Sequence, residues 1–266
     1  MDLGLRDRVY LVTGGSRGLG FAAAQALVAE GARVLISAPH EATAASAAAR
    51  LTEGATSGAA GWAVADNADP AAADQLVAAA QDRFGRLDGA LISVGGSPGG
   101  TIAATADDAW RSAFESVFLG AIRLARSVAV SLAGRRDDAS LSGTGGSIAF
   151  VLAASVRAPL PGLAISNGLF PGLAGVVKTL ADEHGPAGIR VNGLLPVRVA
   201  TDRVRQLDAL LGDPDEVRAR LSQNIPLRRY GEPGEFGQAA VFILSPAASY
   251  ITGAMIPIDG GAIRSF

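Results

Sequence analysis

The chain has 266 residues, 49% of them hydrophobic and 18% charged, with a formal net charge of −2. This length supports one α/β domain with a large core, and the composition excludes a disordered chain. The charge balance gives no reason to expect nucleic acid, and the absence of cysteine excludes disulfides and thiolate catalysis. With two histidines, we expect no metal site. No apolar signal core and no run of about 18 uncharged apolar residues occurs, so we expect a cytoplasmic protein without a membrane partner.

A strand, a glycine-rich turn and a helix are predicted close to the start of the chain. Residues 8–12 are rich in large and β-branched apolar side chains, and residues 21–30 are strong helix formers. Between them, Gly14, Gly18 and Gly20 allow a sharp turn and a close approach of the backbone to a ligand. Because the N-terminus of a helix binds anions, this segment predicts a pyrophosphate site.

The spacing Thr-Gly-x-x-x-Gly-x-Gly over residues 13–20 resembles the cofactor loop of the short-chain dehydrogenase/reductase family. The resemblance implies cofactor contacts from this loop, by Thr13, Gly14, Ser16, Arg17, Gly18, Leu19 and Gly20. It also implies a fold, which the rest of the chain has to support.

The second predicted strand bears on the choice between NAD and NADP. Residues 32–37 continue a parallel βαβ unit, and in dinucleotide folds an acidic residue after this strand binds the ribose of NAD. Residues 37–40 contain no carboxylate before Glu41. Arg17 lies where NADP-dependent members of the family often carry a base, which would pair with a 2′-phosphate. We therefore expect NADP more than NAD, although a solvated arginine also fits the sequence.

Two further strands, at residues 62–65 and 89–94, end in candidate cofactor residues. Asp66 resembles the aspartate that contacts adenine in the family, with Asn67 beside it, although a turn or cap would explain the same residues. Gly95 resembles the glycine at which the backbone approaches the cofactor. The two asparagines that usually precede this glycine are absent.

The helix predicted over residues 110–126 corresponds to the helix that family members commonly use for subunit contact. The resemblance implies a homodimer or homotetramer, formed through this helix and the C-terminal strand. The asparagine that supports a proton-relay water in the family falls at Val117.

The helix predicted over residues 165–181 follows a fifth strand and corresponds to the helix that carries the family's Tyr-x-x-x-Lys pair. By the spacing of the pattern, the tyrosine position is Ser166 and the lysine position is Phe170. The catalytic serine of the family falls near Ala153, and Ser155 is the nearest hydroxyl. The chain therefore resembles an atypical subgroup that lacks the catalytic pair.

Loss of the tyrosine changes the expected chemistry, because a serine hydroxyl is no general acid near neutral pH without a base beside it. General acid catalysis contributes about 10²- to 10⁴-fold, so hydride transfer would be slower and still feasible. Ser155, Ser166 and Asn167 could hydrogen-bond a substrate carbonyl, and Arg157 and Arg198 could bind an anion. Capping, packing and solvation are equally open interpretations of these five residues.

The C-terminal part completes the pattern with a strand at residues 189–196 and another within residues 250–261. Thr201 resembles a family residue near the nicotinamide amide or a phosphate, and an N-cap is the alternative. Residues 197–225 suggest a substrate lid. The expected fold class is α/β, a single Rossmann-like doubly wound domain over residues 1–266 with a seven-stranded, mainly parallel sheet flanked by helices.

Chains of the atypical subgroup are often called 3-oxoacyl-carrier-protein reductases, a label that says little about substrate. The resemblance runs through Ser155–Val156, residues 159–162, Ser166–Asn167 and residues 201–204. We expect an NADP(H)-dependent oxidoreductase of a small carbonyl compound or activated double bond, with non-standard proton delivery. The alternative is a degenerate scaffold that acts as a non-redox enzyme or as a nucleotide-sensing or structural subunit.

Overall fold

The computed structural model describes residues 2–53, 58–96, 98–134 and 145–265. Within these ranges, seven parallel strands form one sheet in the order β3-β2-β1-β4-β5-β6-β7. The strands are β1 (Val9–Val12), β2 (Arg33–Ala38), β3 (Ala60–Val64), β4 (Gly89–Ile92), β5 (Gly146–Val151), β6 (Ile189–Pro196) and β7 (Met255–Ile258). The order reverses between β1 and β4, which opens a crevice beyond the carboxyl ends of these two strands.

Helices cover both faces of the sheet. They are α1 (Gly18–Ala29), α2 (Glu41–Thr52), α3 (Ala72–Phe84), α4 (Asp107–Ala113), α5 (Gly120–Ala133), α6 (Ala164–His184), α7 (Asp202–Ala209), α8 (Pro214–Ser222) and α9 (Pro233–Leu244). A π-helical turn over Phe114–Leu119 joins α4 to α5.

The central strands are buried on both sides, so their side chains alternate between two apolar layers. Val9 and Leu11 of β1 join the layer formed with α3, α5 and α6. Tyr10 and Val12 join the layer formed with α1, α2 and α9. Successive side chains of a strand point to opposite faces of the sheet. Because both faces are buried here, every residue of β1 is apolar.

The predicted fold class is confirmed, and the sheet is parallel throughout the described residues. The first helix begins at Gly18 rather than at residue 21, because Gly18 and Gly20 belong to its first turn. The helix predicted over residues 110–126 is longer, running from Asp107 through the π-helical turn to Ala133.

The segment Asp107–Ala133 is long and apolar enough to cross a membrane by length and composition alone. In this fold it is a core helix, because Leu124 and Val128 of its inner face are buried among α3, α6 and the sheet. Arg123 and Arg126 interrupt its apolar sequence.

Candidate functional site

The loop after β1 is fixed to the neighbouring strand by Thr13. Its hydroxyl donates a hydrogen bond to the Ser93 carbonyl oxygen at 3.1 Å and accepts one from the Ser93 N–H at 2.9 Å. The Thr13 side chain is fully buried, so it acts by holding the loop in place rather than by facing the crevice.

Glycines let this loop turn tightly into α1. A Cβ on Gly20 would overlap the carbonyl oxygen of Gly14, and Gly18 adopts a φ of +57°. Arg17 is the N-cap of α1 and makes no side-chain capping hydrogen bond. The N–H groups of the first turn are therefore left for a ligand, as a pyrophosphate site requires. Ser16 lies in the same turn, half-buried before Arg17.

The end of β2 lies beside this loop, because the Gly15 N–H donates to the Ser37 carbonyl oxygen at 3.1 Å. The Ser37 hydroxyl is buried and has no hydrogen-bond partner among the described residues. His40, exposed at the N-cap of α2, follows, and Ala38 ends the strand where a carboxylate would bind an NAD ribose.

The residues after β3 form a turn. The Asp66 carboxylate accepts a hydrogen bond from the Ala68 N–H at 2.9 Å, as the turn interpretation predicts, and its side chain stays exposed. Asn67 packs against Gly120 at the start of α5, where a Cβ would lie 2.5 Å from the Asn67 carbonyl oxygen. The described contacts of Asp66 and Asn67 are therefore those of a turn that packs on the start of α5.

Gly95 follows β4 with a φ of +81°, and nothing lies within 4 Å of the position that a Cβ would occupy. A side chain there would meet open space. This space is near the glycine loop, because Ser93, two residues before Gly95, is hydrogen-bonded to Thr13.

Ser155 and Ser166 meet at the carboxyl end of β5. The Ser155 hydroxyl donates to the Ser166 carbonyl oxygen at 3.3 Å, and both side chains are buried. The Ser166 hydroxyl forms no hydrogen bond with another residue in the described ranges. It is 8% exposed, so it keeps a donor for a ligand.

Asn167, unlike Ser166, makes side-chain hydrogen bonds within the protein. Its carboxamide accepts from the Leu160 N–H at 2.9 Å and donates to the Leu160 carbonyl oxygen at 2.8 Å. This pair of bonds fixes the loop before α6 and occupies both ends of the side chain. Asn167 therefore holds the wall of the site.

The positions predicted to correspond to the family's lysine and asparagine are apolar and buried. Phe170 is 6% exposed and Val117, within the π-helical turn, is 5% exposed. Among the three tyrosines of the chain, none lies on α6: they are Tyr10, Tyr230 and Tyr250. The single lysine, Lys178, is exposed farther along α6 and lies against Gly253.

Two glycines set the position of α6 against the neighbouring helix. A Cβ on Gly168 would lie 2.8 Å from the Trp110 ring, and one on Gly172 would lie 2.8 Å from the Phe118 ring. Two aromatic rings therefore pack directly on the α6 backbone, one turn apart. Pro171 also removes an N–H from the interior of this helix.

The segment after β6 carries α7 and α8, and buried polar contacts tie it to the body. Arg198 pairs with Asp208, and the Tyr230 hydroxyl donates to the other Asp208 oxygen at 3.0 Å. The centroid of the Tyr230 ring lies 5.9 Å from the guanidinium carbon of Arg198 and 5.3 Å from that of Arg218. Burial raises the pKa of Tyr230, so its hydroxyl remains a donor at neutral pH.

The first turn of α7 lies over the crevice. Thr201 is its N-cap, accepting from the Val204 N–H at 3.3 Å, and its methyl group lies 3.7 Å from the position of a Cβ on Gly18. The N-cap interpretation is thus compatible with a place next to the cofactor loop. Arg203, in the same turn, lies against Gly96, with its Nε 3.0 Å from the position of a Cβ there.

The two arginines predicted as candidates for anion binding both make contacts within the protein. Arg157 donates to the Met255 carbonyl oxygen at 3.4 Å, towards the edge of the sheet, and Arg198 is paired with Asp208.

Comparisons with known proteins agree with this architecture. Residues 14–262 match the family model described as enoyl-(acyl carrier protein) reductase. The short chain dehydrogenase/reductase astE of Aspergillus oryzae is 31% identical over 259 residues, which cover 97% of this chain and 95% of that protein.

Two solved structures are similar over the whole chain. L-sorbose reductase from Gluconobacter frateurii, complexed with NADPH and L-sorbose, has a TM-score of 0.89 and 28% identity, with 100% of each chain covered. An NADPH-bound short chain oxidoreductase from Pseudomonas aeruginosa PAO1, described as containing an atypical catalytic center, has a TM-score of 0.88 and 27% identity, with 99% of each chain covered. This chain therefore belongs to the short-chain dehydrogenase/reductase family of NAD(P)-dependent oxidoreductases.

Proposed function

We propose that the protein transfers hydride between NADP(H) and a small carbonyl compound, its alcohol or an activated double bond, without a tyrosine as proton donor. The observation that carries this proposal is the glycine loop after β1, which leaves the first-turn N–H groups of α1 without a side-chain cap. The buried Ser166 hydroxyl, at the carboxyl end of the same sheet, would supply a donor for a substrate oxygen.

The residues that would hold the cofactor are those of the crevice. The first-turn N–H groups of Gly18, Leu19 and Gly20 would bind the pyrophosphate, with Gly14 and Ser16 in the same loop. Asp66 and Asn67 would border the adenine, and Gly95 and Thr201 would border the nicotinamide half. Family resemblance supports these roles.

NADP is favoured over NAD by charge. Arg17 is exposed at the N-cap of α1, and Ala38 leaves no carboxylate to repel a 2′-phosphate. The solved L-sorbose reductase and the Pseudomonas aeruginosa oxidoreductase are both described with NADPH, which supports the same choice.

A bound nicotinamide supplies or accepts the hydride. In the reducing direction, the negative charge that develops on the substrate oxygen would be stabilised by a hydrogen bond from the Ser166 hydroxyl. Phe170 provides no ammonium that could lower the pKa of a neighbouring hydroxyl, so Ser166 acts as a hydrogen-bond donor and solvent supplies the proton. Ser155 holds the backbone of Ser166 and thereby positions the donor.

The alternative function is a nucleotide-binding subunit without turnover, or a non-redox enzyme on the same scaffold. Apolar side chains at Phe170 and Val117 favour it, because they remove two parts of the usual proton relay. NADPH binding without consumption by any carbonyl substrate would select this alternative.

Association into a homodimer or homotetramer is part of the proposal, with a small-molecule substrate and a cytoplasmic location. β7 ends the sheet, so one of its edges is open for pairing with a second copy. On the segment Asp107–Ala133, Phe114 and Val130 are 44% and 66% exposed. Light scattering after size-exclusion chromatography would test association.

Thermal unfolding with NADPH and, separately, with NADH tests the cofactor assignment. A ligand at about 100 times its Kd stabilises the folded protein by roughly 2.7 kcal/mol. We expect Arg17→Ala to weaken NADPH binding about 10- to 100-fold, because a charged hydrogen bond is lost, and to leave NADH binding unchanged. The control is Arg33→Ala, which removes an exposed pair with Asp7 at the other end of the sheet.

Turnover is tested by following NADPH absorbance with aldehydes, ketones and enones. We expect Ser166→Ala to reduce kcat with little effect on NADPH affinity, since Ser166 faces the substrate oxygen. Failure of both nucleotides to bind would refute the redox function. Unchanged kcat in Ser166→Ala would refute the role of its hydroxyl.

A further inference from the structure

We infer that Asn167 is a positioning residue, which acts through its neighbour Ser166. Its carboxamide joins the loop before α6 to the helical turn that carries Ser166, and thereby sets where the Ser166 hydroxyl meets a substrate oxygen. The inference rests on the proposed function, because it concerns the hydrogen-bond donor that we propose for that oxygen.

The first turn of α6 needs support from outside the helix. The helix begins at Ala164, so Ser166 is its third residue. The N–H groups of a first turn have no intrahelical partner, and helix ends open more readily than helix centres. Leu163, the N-cap, has an apolar side chain that cannot accept a capping hydrogen bond. A hydroxyl in this turn therefore depends on contacts with other segments for a defined position.

Two loops contribute hydrogen bonds to the turn. The Ala164 N–H donates to the Gly100 carbonyl oxygen at 3.1 Å, and the Gly100 N–H donates to the Gly162 carbonyl oxygen at 2.7 Å. The loop after β4 is thus bonded to the chain on both sides of the N-cap of α6. From the end of β5, the Ser155 hydroxyl donates to the carbonyl oxygen of Ser166.

Asn167 joins the loop to the turn as one backbone segment pairs with another. Its Oδ1 accepts from the Leu160 N–H at 2.9 Å, and its Nδ2 donates to the Leu160 carbonyl oxygen at 2.8 Å. The Leu160 carbonyl oxygen also accepts from the Leu163 N–H at 3.3 Å, and the Leu163 carbonyl oxygen accepts from the Asn167 N–H at 2.9 Å. Because these bonds link the loop and the turn in a closed ring, a displacement of Leu160 also displaces the turn.

Ser166 is the residue whose chemistry depends on this ring. Its backbone is held by Ser155, and its hydroxyl forms no hydrogen bond with another residue in the ranges that the structure describes. The strength of a hydrogen bond depends steeply on distance and angle, and a misplacement of about 1 Å can cost about 10²-fold in rate. Loss of the Asn167 bonds should therefore lower kcat by displacing the Ser166 hydroxyl.

A double-mutant cycle of Asn167→Ala and Ser166→Ala tests whether Asn167 acts through Ser166, with kcat measured on a carbonyl compound that the wild type reduces. We expect Asn167→Ala to lower kcat about 10- to 100-fold when Ser166 is present, and less than about twofold in the Ser166→Ala background. Asn167→Gln, which keeps both polar groups on a longer side chain, should retain more of kcat than Asn167→Ala. Since Asn167 is half-buried and alanine is the strongest helix former, Asn167→Ala should fold.

Amide hydrogen exchange at Leu160 measures the ring independently of turnover. The Leu160 N–H donates to the Asn167 side chain, so we expect it to exchange about tenfold faster in Asn167→Ala. Unchanged exchange would show that the carboxamide does not hold the loop, and would overturn the inference.

The matched control is Asn192→Ala, because the Asn192 carboxamide makes the same kind of paired bonds. It accepts from the Ala254 N–H at 3.0 Å and donates to the Ile251 carbonyl oxygen at 2.9 Å. Asn192 lies in β6, four residues before the carboxyl end of the strand, or about 13 Å from it. Below its unfolding temperature, the control should keep kcat within about twofold of the wild type.

The outcomes separate the inference from the proposed function. An equal loss of kcat from Asn167→Ala with and without the Ser166 hydroxyl would show a merely structural role and overturn the inference alone. A loss of kcat in Asn192→Ala as large as that in Asn167→Ala would overturn it in the same way. Absence of turnover in the wild type would refute the proposed function, and the inference with it.

Discussion

Replacing Asp208 with alanine removes the carboxylate that holds α7 to the body of the protein. Asp208 is 2% exposed, and its two oxygens accept from Arg198 and from the Tyr230 hydroxyl. The variant leaves both donors without their acceptor. Arg198 also adopts a φ of +52°, a conformation that costs free energy in a residue other than glycine and depends on such contacts.

The expected loss of stability follows from the burial of the pair between Arg198 and Asp208. Breaking a buried pair by removing one partner costs about 3–5 kcal/mol, and the Arg198 side chain is 29% exposed, so the lower end, about 3 kcal/mol, applies. This corresponds to roughly hundredfold easier opening of α7. Asp215→Ala is the control, because it breaks an exposed pair with Arg205 worth about 0–1 kcal/mol.

Amide hydrogen exchange in α7 measures the free energy of opening of this helix, and the two variants can be compared in this way. The comparison holds whether α7 opens alone or together with the whole protein. The Arg205 N–H, bonded to the Thr201 carbonyl oxygen at 3.0 Å, is a suitable reporter. We expect about hundredfold faster exchange in Asp208→Ala and less than about fivefold in Asp215→Ala. Similar rates in the two variants would show that the buried network does not hold the helix.

Three substitutions of glycine test the packing of the fold and of the cofactor loop. Gly168→Ala places a Cβ 2.8 Å from the Trp110 ring and should lower the free energy of unfolding in urea by about 1–2 kcal/mol. Gly175→Ala, whose Cβ would have nothing within 4 Å, should raise this free energy by up to about 1 kcal/mol. Equal effects would refute the role of the ring. Gly20→Ala should abolish stabilisation by NADPH, because its Cβ overlaps the Gly14 carbonyl oxygen; retained stabilisation would show that the loop can adjust.

The hydrogen bond from Arg229 lowers the pKa of Glu235 from 4.5 to about 2, so the stabilisation is present above pH 4.5 and lost as the pH falls towards 2. Glu235→Gln should therefore flatten the pH dependence of unfolding in that window, and an unchanged profile would contradict the pairing.

Patterns of neighbouring residues in the sequence predicted the strands, the turn and the helices that surround the site. The glycine loop, the parallel strands and the Ser166–Phe170 spacing follow from residues close together in the sequence, which fix turns, periodicity and helix faces. Contacts between distant segments were not accessible in this way. The bond from Thr13 to Ser93 joins residues 80 positions apart, and that from Tyr230 to Asp208 depends on how α7 docks.

The loop after β6 illustrates the same limit. Val197 follows Pro196 at the end of β6, and a β-branched residue is unfavourable at a positive φ. The chain places the left-handed residue one position later, at Arg198, where the pair with Asp208 stabilises it. Local propensity alone could not predict a compensation by a buried carboxylate ten residues away.

Lys178 is the single lysine among 23 basic residues, so guanidinium groups carry nearly all of the positive charge. Guanidinium stays protonated far above neutral pH and is not a substrate for the acyl transfer that neutralises lysine. The positive surface of this protein is therefore chemically permanent. An amine-directed reagent would find one side chain, exposed on α6 beside Gly253 and close to the edge of the sheet, where a fluorescent label would report on association of two chains.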